Sequence, residues 1–295
     1  MISFDDFIGQ EKIKKDLKIH MERSFFAFEP LDHIMFYGGA GLGKTTLATA
    51  VAEEMGSTIV TKTGDEINKE TLWEILTTLP SNAIFFIDEI HSLPVKVCEI
   101  LYGPLQIINN QKLAEETTDF LFEGEYISPF TLIGGTTSPG MLTKPMRDRI
   151  ILDYYFEPYS VEELTTILIN YNCPQNAAVI IAERSRGVPR IALKHFIRIR
   201  NRAMETENIT PEICLETFDD YGIHNDGFSD TDIKILKYLA ARGSASESEI
   251  YRTLDVDASD YRGMYEPFLL QKGLIRISSK GRELTKAGLS IVKEC

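Results

Sequence analysis

The sequence predicts an α/β domain with a mostly parallel sheet covered by helices on both faces, followed by an all-helical domain and a C-terminal winged-helix domain. In the first half of the chain, continuous apolar stretches alternate with helical patterns. Strand-like stretches then stop at about Tyr159, and the residues after 228 follow the order helix, helix, helix, hairpin. We therefore expect three domains, at residues 1–158, 159–222 and 228–295.

Hydrophobic periodicity and helix-ending residues predict the elements of the first domain. Gly56 and Pro80 end two of its helical patterns. Uninterrupted apolar runs between helices predict buried strands of a parallel sheet. The predicted strands are 33–39, 57–64, 82–91 and 129–138, and the predicted helices are 11–23, 44–56 and 69–80.

Capping residues mark most of the later helices. Ser160 followed by Glu163 is a capping box, which begins the second domain. The polar, glycine-bearing stretch 222–230 is interpreted as a linker. The predicted helices are 160–172, 175–184, 189–205 and 211–221 in the second domain and 229–243, 246–254 and 259–273 in the third, with a hairpin at 274–288.

The composition is that of an ordinary globular protein, with 295 residues, 43% hydrophobic and 25% charged. No apolar run is long enough to cross a bilayer, and the N-terminal stretch lacks the hydrophobic region of a signal peptide. We therefore expect a cytoplasmic protein without a membrane partner. Reduced thiols are expected because no metal-binding spacing relates the four cysteines, Cys98, Cys173, Cys214 and Cys295.

A phosphate-binding loop is predicted where the first strand meets the next helix. The stretch GGAGLGKT satisfies the pattern G-x-x-x-x-G-K-[ST] in the strand-to-helix context that this loop requires. Its glycines turn backbone N–H groups toward phosphate, Lys44 adds charge at the β- and γ-phosphates, and Thr45 offers a hydroxyl to Mg²⁺. The predicted ATP-binding residues here are Gly38, Gly41, Leu42, Gly43, Lys44, Thr45 and Thr46.

A second motif, IFFIDEIH, predicts hydrolysis of the bound nucleotide. Its apolar strand delivers Asp88 to the carboxyl edge of the sheet, where an acidic group would hold Mg²⁺. Glu89 would polarise the attacking water. A pure GTPase switch lacks such a catalytic glutamate. We therefore expect ATP as the fuel and Mg²⁺ as its metal ion, held by Thr45 and Asp88.

Polar residues beyond the next strand complete the predicted hydrolysis apparatus. A hydroxyl of Thr136 or Thr137 would orient the attacking water at the same edge of the sheet. Arginine keeps its proton and stabilises charge on a transferring phosphoryl group, which makes Arg147, Arg149 and Arg190 candidates for that role.

These motifs, in this order, resemble those of AAA+ ATPases. Within that superfamily the sequence is similar to the RuvB family of Holliday-junction branch-migration motors. The stretches that carry the resemblance span the chain and include FIGQEKIKKDLKI, LDHIMFYGGAGLGKTTLA, PFTLIGGTTSPGMLTKPMRDR, SRGVPRIA and YEPFLLQKGLI. The chain departs from the family pattern at several places, among them the loop GGAG where Gly-Pro-Pro-Gly is usual, and Ser92 where an arginine is usual.

The resemblance implies roles for individual residues. Thr137 would be the first sensor, and Arg149, supported by Arg147, would act as an arginine finger on a neighbouring subunit's ATP. Arg190 would be the second sensor. The residues implied beside the nucleotide are Ile8, Tyr159, Pro189 and Arg190. The resemblance further implies a hexameric ring around duplex DNA, with a β-hairpin at 115–128 that docks on the partner RuvA.

The charge distribution bears on DNA binding. The net charge of −13 argues against nonspecific DNA binding by the chain as a whole. However, residues 272–286 contain five bases and one acid, Glu283. A basic wing can contact phosphates while the rest of the chain stays acidic. The predicted DNA contacts are Arg276, Lys280 and Arg282.

Two other function classes remain open from the sequence. A clamp-loader-like AAA+ remodeller of DNA-bound proteins would share the nucleotide motifs. A nucleotide-dependent transcription regulator would need base-reading side chains on the third helix of the winged-helix domain, and that helix is largely apolar.

Overall fold

The computed structural model describes residues 3–205 and 208–294, which form two compact units, Met1–Tyr159 and Ser160–Cys295. The first unit is an α/β domain. Its helices are α1 (Glu11–Ala27), α2 (Lys44–Glu54), α3 (Lys69–Thr78), α4 (Val95–Leu113) and α5 (Lys144–Arg147). Its strands are β1 (Ile34–Tyr37), β2 (Ile59–Thr63), β3 (Ile84–Asp88), β4 (Phe120–Phe122), β5 (Glu125–Ile127), β6 (Thr131–Thr136) and β7 (Leu152–Tyr155).

Five of these strands form one parallel sheet in the order β2-β3-β6-β1-β7. Its central strands β1 and β6 are fully buried, as expected for a parallel sheet covered on both faces. Strand β6 lies between β1 and β3, with Tyr37 opposite Thr136 and Ile87 opposite Gly134. The carboxyl ends of these three strands therefore meet at one edge, and the predicted fold class is confirmed.

Three elements of this unit, α4, β7 and the short helix α5, were absent from the sequence-based prediction. Helix α4 runs through Gly103 and Pro104, two residues that usually interrupt helices. Strand β7 lies at the edge of the sheet, and its residues alternate between buried and exposed rather than forming an apolar run. Helix α4 and strand β7 were missed because their local patterns contradict the element that the tertiary packing selects.

Strands β4 and β5 form an antiparallel hairpin within the segment predicted from the family resemblance. The ring of Phe122 stacks on Trp73 at 5.9 Å between centroids. It also fills the space beside Gly103, where an added Cβ would lie 2.3 Å from the ring. The hairpin therefore rests on α3 and α4, while Leu121 and Tyr126 on its other face are exposed.

The second unit contains an all-helical part and a winged-helix part. The helices are α6 (Val161–Asn170), α7 (Gln175–Glu183), α8 (Pro189–Arg202), α9 (Pro211–Asp220), α10 (Asp230–Arg242), α11 (Glu247–Thr253), α12 (Ala258–Asp260), α13 (Glu266–Gln271) and α14 (Lys286–Glu294). The strands are β8 (Ser244–Ala245), β9 (Ile275–Ser278) and β10 (Gly281–Leu284), in the order β8-β10-β9.

The winged-helix part differs from the prediction in three respects. The hairpin gains a third strand, β8, and the residues after Leu284 form α14 rather than continuing the strand. The predicted third helix is α12 and α13 joined by a π-helical turn, Tyr261–Tyr265. The wider turn precedes Pro267, which has no N–H for a regular helical hydrogen bond. Just before it, Glu266 donates its N–H to the carbonyl of Tyr261, five residues earlier, which is the π-helical pattern.

Residues 222–230, interpreted as a linker, form a tight turn that packs on the segment before α8. The guanidinium of Arg186 donates to the carbonyl of Gly227 at 2.8 Å and to the carboxylate of Asp232 at 2.5 Å. It also lies 4.0 Å from the centre of the Phe268 ring. Because Asp232 is fully buried, this ion pair fixes the helical part against the winged-helix part.

Two further findings concern expectations from composition. None of the described helices is long and apolar enough to cross a membrane. The thiols of Cys98, Cys173 and Cys214 are free and buried, whereas Cys295 lies outside the described residues. Burial raises the pKa of Cys173 to about 12 and that of Cys214 to about 11, so both thiols stay protonated at neutral pH.

A buried histidine, His33, directly precedes β1, at the end of the sheet opposite the carboxyl ends of the strands. His33 is 1% exposed, and its Nδ1 accepts the N–H of Leu132 at 3.1 Å, which identifies Nδ1 as unprotonated. Burial lowers the pKa of His33 to about 3, and the positive charge of Lys112 acts in the same direction. The imidazole is therefore neutral in the folded protein at neutral pH.

We predict that His33 makes the first unit sensitive to acid. Between about pH 6.5 and about pH 3, the unfolded chain binds a proton at His33 and the folded chain does not. The free energy of unfolding therefore decreases as the pH is lowered through this range, by up to about 1.4 kcal/mol per pH unit. His33→Asn keeps an acceptor for Leu132 and should weaken this dependence. Urea unfolding followed by fluorescence of Trp73, the single tryptophan, measures it. An unchanged pH dependence in the variant would contradict the assignment.

Candidate functional site

The loop between β1 and α2 bends at three glycines with positive φ angles, +150° at Gly38, +82° at Gly41 and +96° at Gly43. A side chain at Gly38 would collide with Phe156, whose Cβ lies 2.8 Å from the position of an added Cβ. Such a loop turns its backbone N–H groups toward an anion at the start of the following helix. The structure therefore gives this loop the geometry of a phosphate cradle.

Lys44 begins α2 and is buried within the loop. Its Nζ donates to the carbonyl of Gly38 at 2.8 Å and to that of Gly39 at 3.0 Å. The ammonium group is thus held at the concave loop where a bound phosphate would sit. Leu42 is buried behind the loop, and Thr46 is exposed on the first turn of the helix.

The predicted metal-binding pair is assembled by β3 and α2. The Oγ1 of Thr45 donates to Oδ2 of Asp88 at 3.2 Å. The other carboxylate oxygen of Asp88 accepts the N–H of Glu89 at 3.0 Å. A hydroxyl beside a carboxylate at the end of the phosphate loop is the oxygen-rich donor set that Mg²⁺ prefers, so the residues present fit this ion.

Glu89 directly follows β3 and is held in an unusual conformation. Its backbone φ of +45° lies in the left-handed region, which a residue other than glycine rarely adopts outside constrained sites. Its Oε2 accepts the N–H of Thr137 at 3.0 Å and the hydroxyl of Thr137 at 2.9 Å. The structure therefore brings together the predicted general base and the predicted sensor, which come from adjacent strands.

Two residues predicted to line the adenine pocket, Ile8 and Tyr159, lie within the first unit. The hydroxyl of Tyr159 donates to the carbonyl of Leu42 at 3.1 Å. An added Cβ at Gly43 would lie 3.2 Å from the ring of Phe7 and 3.3 Å from the Tyr159 hydroxyl. Ile8, the predicted residue, is half-buried beside Phe7. Phe7 was not predicted, although its place next to Ile8 in the stretch FDDFIGQ was a usable signal.

Arg149 is fixed by helix α4. Its Nε donates to the carbonyl of Tyr102 at 3.0 Å, and its Nη1 donates to the carbonyl of Pro145 at 2.8 Å. The guanidinium lies 5.0 Å from the centre of the Tyr102 ring, within reach of a cation–π interaction. Tyr102 was not predicted, because no local pattern links α4 to Arg149. Arg147, by contrast, is exposed.

Pro189 and Arg190 open α8 in the second unit, with Pro189 at the first helical position. Arg190 is exposed. The role of Pro189 and Arg190 in nucleotide binding stays a prediction.

The predicted DNA-contacting residues differ in how they are held. Arg282 is bound by two carboxylates, with its Nε 2.5 Å from Oε1 of Glu266 and its Nη2 2.9 Å from Oε2 of Glu247. Arg276 donates to Glu283 at 2.9 Å and keeps a side chain that is 68% exposed. Lys280 is exposed at the tip of the wing. The excess of bases counted within 272–286 is thus partly offset by Glu247 and Glu266 from outside that segment.

Fold and site together define an AAA+ P-loop ATPase with a helical lid and a winged helix. Family models match consecutive parts of the chain: the Holliday junction DNA helicase RuvB P-loop domain at residues 2–155, the RuvB AAA lid domain at 159–224 and the RuvB C-terminal winged helix domain at 225–293. The chain belongs to the RuvB family.

Individual relatives agree with this assignment. The Holliday junction branch migration complex subunit RuvB of Campylobacter hominis is 39% identical over 98% of this chain and 88% of its own length. The RuvB subunit of Sulfurimonas denitrificans is 38% identical over 98% of this chain and 89% of its own. The Thermotoga maritima RuvB Holliday junction branch migration motor has a TM-score of 0.83 at 33% identity, covering 99% of this chain and 97% of its own. The expected family is thereby confirmed, while the roles of single residues stay predictions.

We predict that Lys280 contributes more to DNA binding than Arg282 does. Lys280→Ala should lower the dependence of log K on log salt concentration by about 1, because one phosphate contact is lost. Arg282→Ala should change that slope less, because two carboxylates already neutralise the guanidinium, and should chiefly lower the unfolding temperature. Titration of duplex DNA at several salt concentrations tests both variants. A larger slope change in Arg282→Ala than in Lys280→Ala would contradict the prediction.

Proposed function

We propose that this chain is an ATP-driven DNA motor of the RuvB type, which assembles as a hexameric ring and drives branch migration of Holliday junctions. The observation that carries the proposal is the meeting of Glu89 and Thr137 beside the phosphate loop, in a chain similar to RuvB proteins along almost its whole length. A carboxylate fixed at that place can polarise a water for attack on a γ-phosphate.

The residues of the site divide the work of binding and hydrolysis. The glycine loop would bind the phosphates, Lys44 would offset their charge, and Thr45 with Asp88 would hold Mg²⁺, which supplies charge neutralisation at the β- and γ-oxygens when bound. Glu89 would accept a proton from the attacking water. Phe7, Ile8 and Tyr159 would pack against the adenine from the side of the N-terminal segment. Pro189 and Arg190, at the start of α8, would add to nucleotide binding.

Cooperation between subunits would depend on Arg149. A guanidinium stabilises the charge that develops on a transferring phosphoryl group, and Arg149 would supply it to the ATP of a neighbouring subunit. The two carbonyls and the aromatic ring that hold Arg149 support this role, because a fixed donor loses little conformational entropy when it binds. Arg147 would assist from the exposed side of α5.

The hairpin β4–β5 would be the docking site for a RuvA-like protein. Its exposed pair Leu121 and Tyr126 lies on facing residues of the two strands, while Phe122 anchors the opposite face. The basic wing would contact duplex DNA, and the site of action would be the cytoplasm. The similarity to RuvB proteins favours the motor over the clamp-loader-like alternative.

The rate of ATP hydrolysis tests the proposed function. We predict slow hydrolysis by the protein alone, faster hydrolysis with four-way junction DNA, and the fastest hydrolysis with junction DNA and a RuvA protein. Linear single-stranded DNA of equal length is the control ligand. A rate that none of these additions increases would refute the motor.

The role of Arg149 can be tested by mixing subunits. Arg149→Ala should lower DNA-stimulated hydrolysis by about 10³-fold, because a finger arginine contributes that much to phosphoryl transfer. Lys44→Ala loses its own nucleotide site but keeps Arg149, so mixed rings of the two variants should regain activity that neither has alone. Normal hydrolysis by assembled Arg149→Ala would show that the residue does not act in trans.

A further inference from the structure

His91 contacts both Glu89, the proposed general base, and Thr136 at the end of β6, although the sequence-based prediction gave it no role. It lies in the short 3-10 turn Ile90–Ser92 that follows Glu89. Its Nδ1 is 2.8 Å from the hydroxyl of Thr136 and 3.2 Å from Oε2 of Glu89. Its side chain is 16% exposed, so the imidazole is largely shielded from water.

The partners of Nδ1 determine which atom carries the proton. An ionised carboxylate can only accept hydrogen bonds, so an unprotonated Nδ1 would place a lone pair against Oε2 of Glu89. The hydroxyl oxygen of Thr136 accepts the N–H of Ser138 at 3.0 Å and has a second lone pair available. We infer that Nδ1 carries a proton and donates it to both oxygens.

The donors around Glu89 are distributed unevenly between its two carboxylate oxygens. Oε2 faces three donors, the N–H of Thr137, the hydroxyl of Thr137 and Nδ1 of His91. Oε1 has no hydrogen-bond donor within the parts of the chain that the structure describes. Because all three donors lie on one oxygen, the carboxylate is held in one rotation and Oε1 is left to interact with other groups.

We propose that His91 is a positioning residue for ATP hydrolysis: it holds Oε2 of Glu89 and the end of β6 together, so that Oε1 faces the attacking water. The proposal rests on the proposed function, since it requires Glu89 to act on ATP. A misplacement of about 1 Å in a reacting group can cost about 100-fold in rate, so a single donor at this place has a large effect.

Two replacements of His91 separate the hydrogen bond from the volume of the ring. His91→Asn keeps a donor at a position similar to Nδ1, whereas His91→Leu keeps more of the volume and has no donor. We expect His91→Leu to lower kcat by about 10- to 100-fold with little change in KM for ATP, and His91→Asn to recover most of that loss. Ser92→Ala is the matched control, because Ser92 lies in the same turn and bonds the main-chain carbonyl of Glu89 rather than its carboxylate.

A double-mutant cycle with Thr136→Val tests the second contact of Nδ1. The two residues share one hydrogen bond, so the combined loss in kcat should be smaller than the product of the single losses. ATP affinity and unfolding temperature, measured for each variant, identify any change that is merely structural.

The proposal would be overturned by His91→Leu turning over ATP within about twofold of the unmodified chain. Equal losses in His91→Asn and His91→Leu would also overturn it, because the volume of the ring rather than its donor would then matter. Both results require that the unmodified chain hydrolyses ATP. A chain that does not hydrolyse ATP even with junction DNA and RuvA would instead refute the proposed function.

Discussion

The parallel pairing of β6 with both β1 and β3 is the constraint on which the rest of the site depends. It places Tyr37 opposite Thr136 and Ile87 opposite Gly134, so three strands end at one level. The phosphate loop and the two polar strand ends therefore lie at one edge, as ligand sites do in open α/β sheets. A shift of one residue in the pairing of β6 with β3 would separate Glu89 from Thr137, and their hydrogen bonds would be lost.

The site also contains a residue, Glu89, in an energetically unfavourable backbone conformation. Glu89 has a left-handed backbone conformation that carries a cost of about 1–3 kcal/mol for a residue other than glycine. The bond from its N–H to Asp88 and those from Thr137 to its carboxylate offset that cost. Groups of the protein itself thereby orient the carboxylate of Glu89, the proposed general base, and a preorganised group need not reorganise during the reaction.

The sequence predicted what depends on local pattern. The strand that ends at Asp88, the strand that precedes Thr137 and the glycine loop were all evident, because apolar runs and turn residues are contiguous. Helix α4 was missed because Gly103 and Pro104 contradict its local propensity, and β7 because an edge strand alternates. The carboxylates that hold Arg282 come from Glu247 and Glu266, 35 and 16 residues away in sequence. Contacts of this kind depend on tertiary packing, and a single sequence does not report them.

The central claim, that Glu89 makes the bound nucleotide a fuel, is tested most directly by the nucleotide that Glu89→Gln retains. The amide keeps the size of the carboxylate but cannot accept a proton from water. After incubation with ATP and Mg²⁺ and rapid removal of free nucleotide, the variant should hold ATP, whereas the unmodified chain should hold mostly ADP. Bound ADP in the variant, formed at the rate of the unmodified chain, would contradict this account.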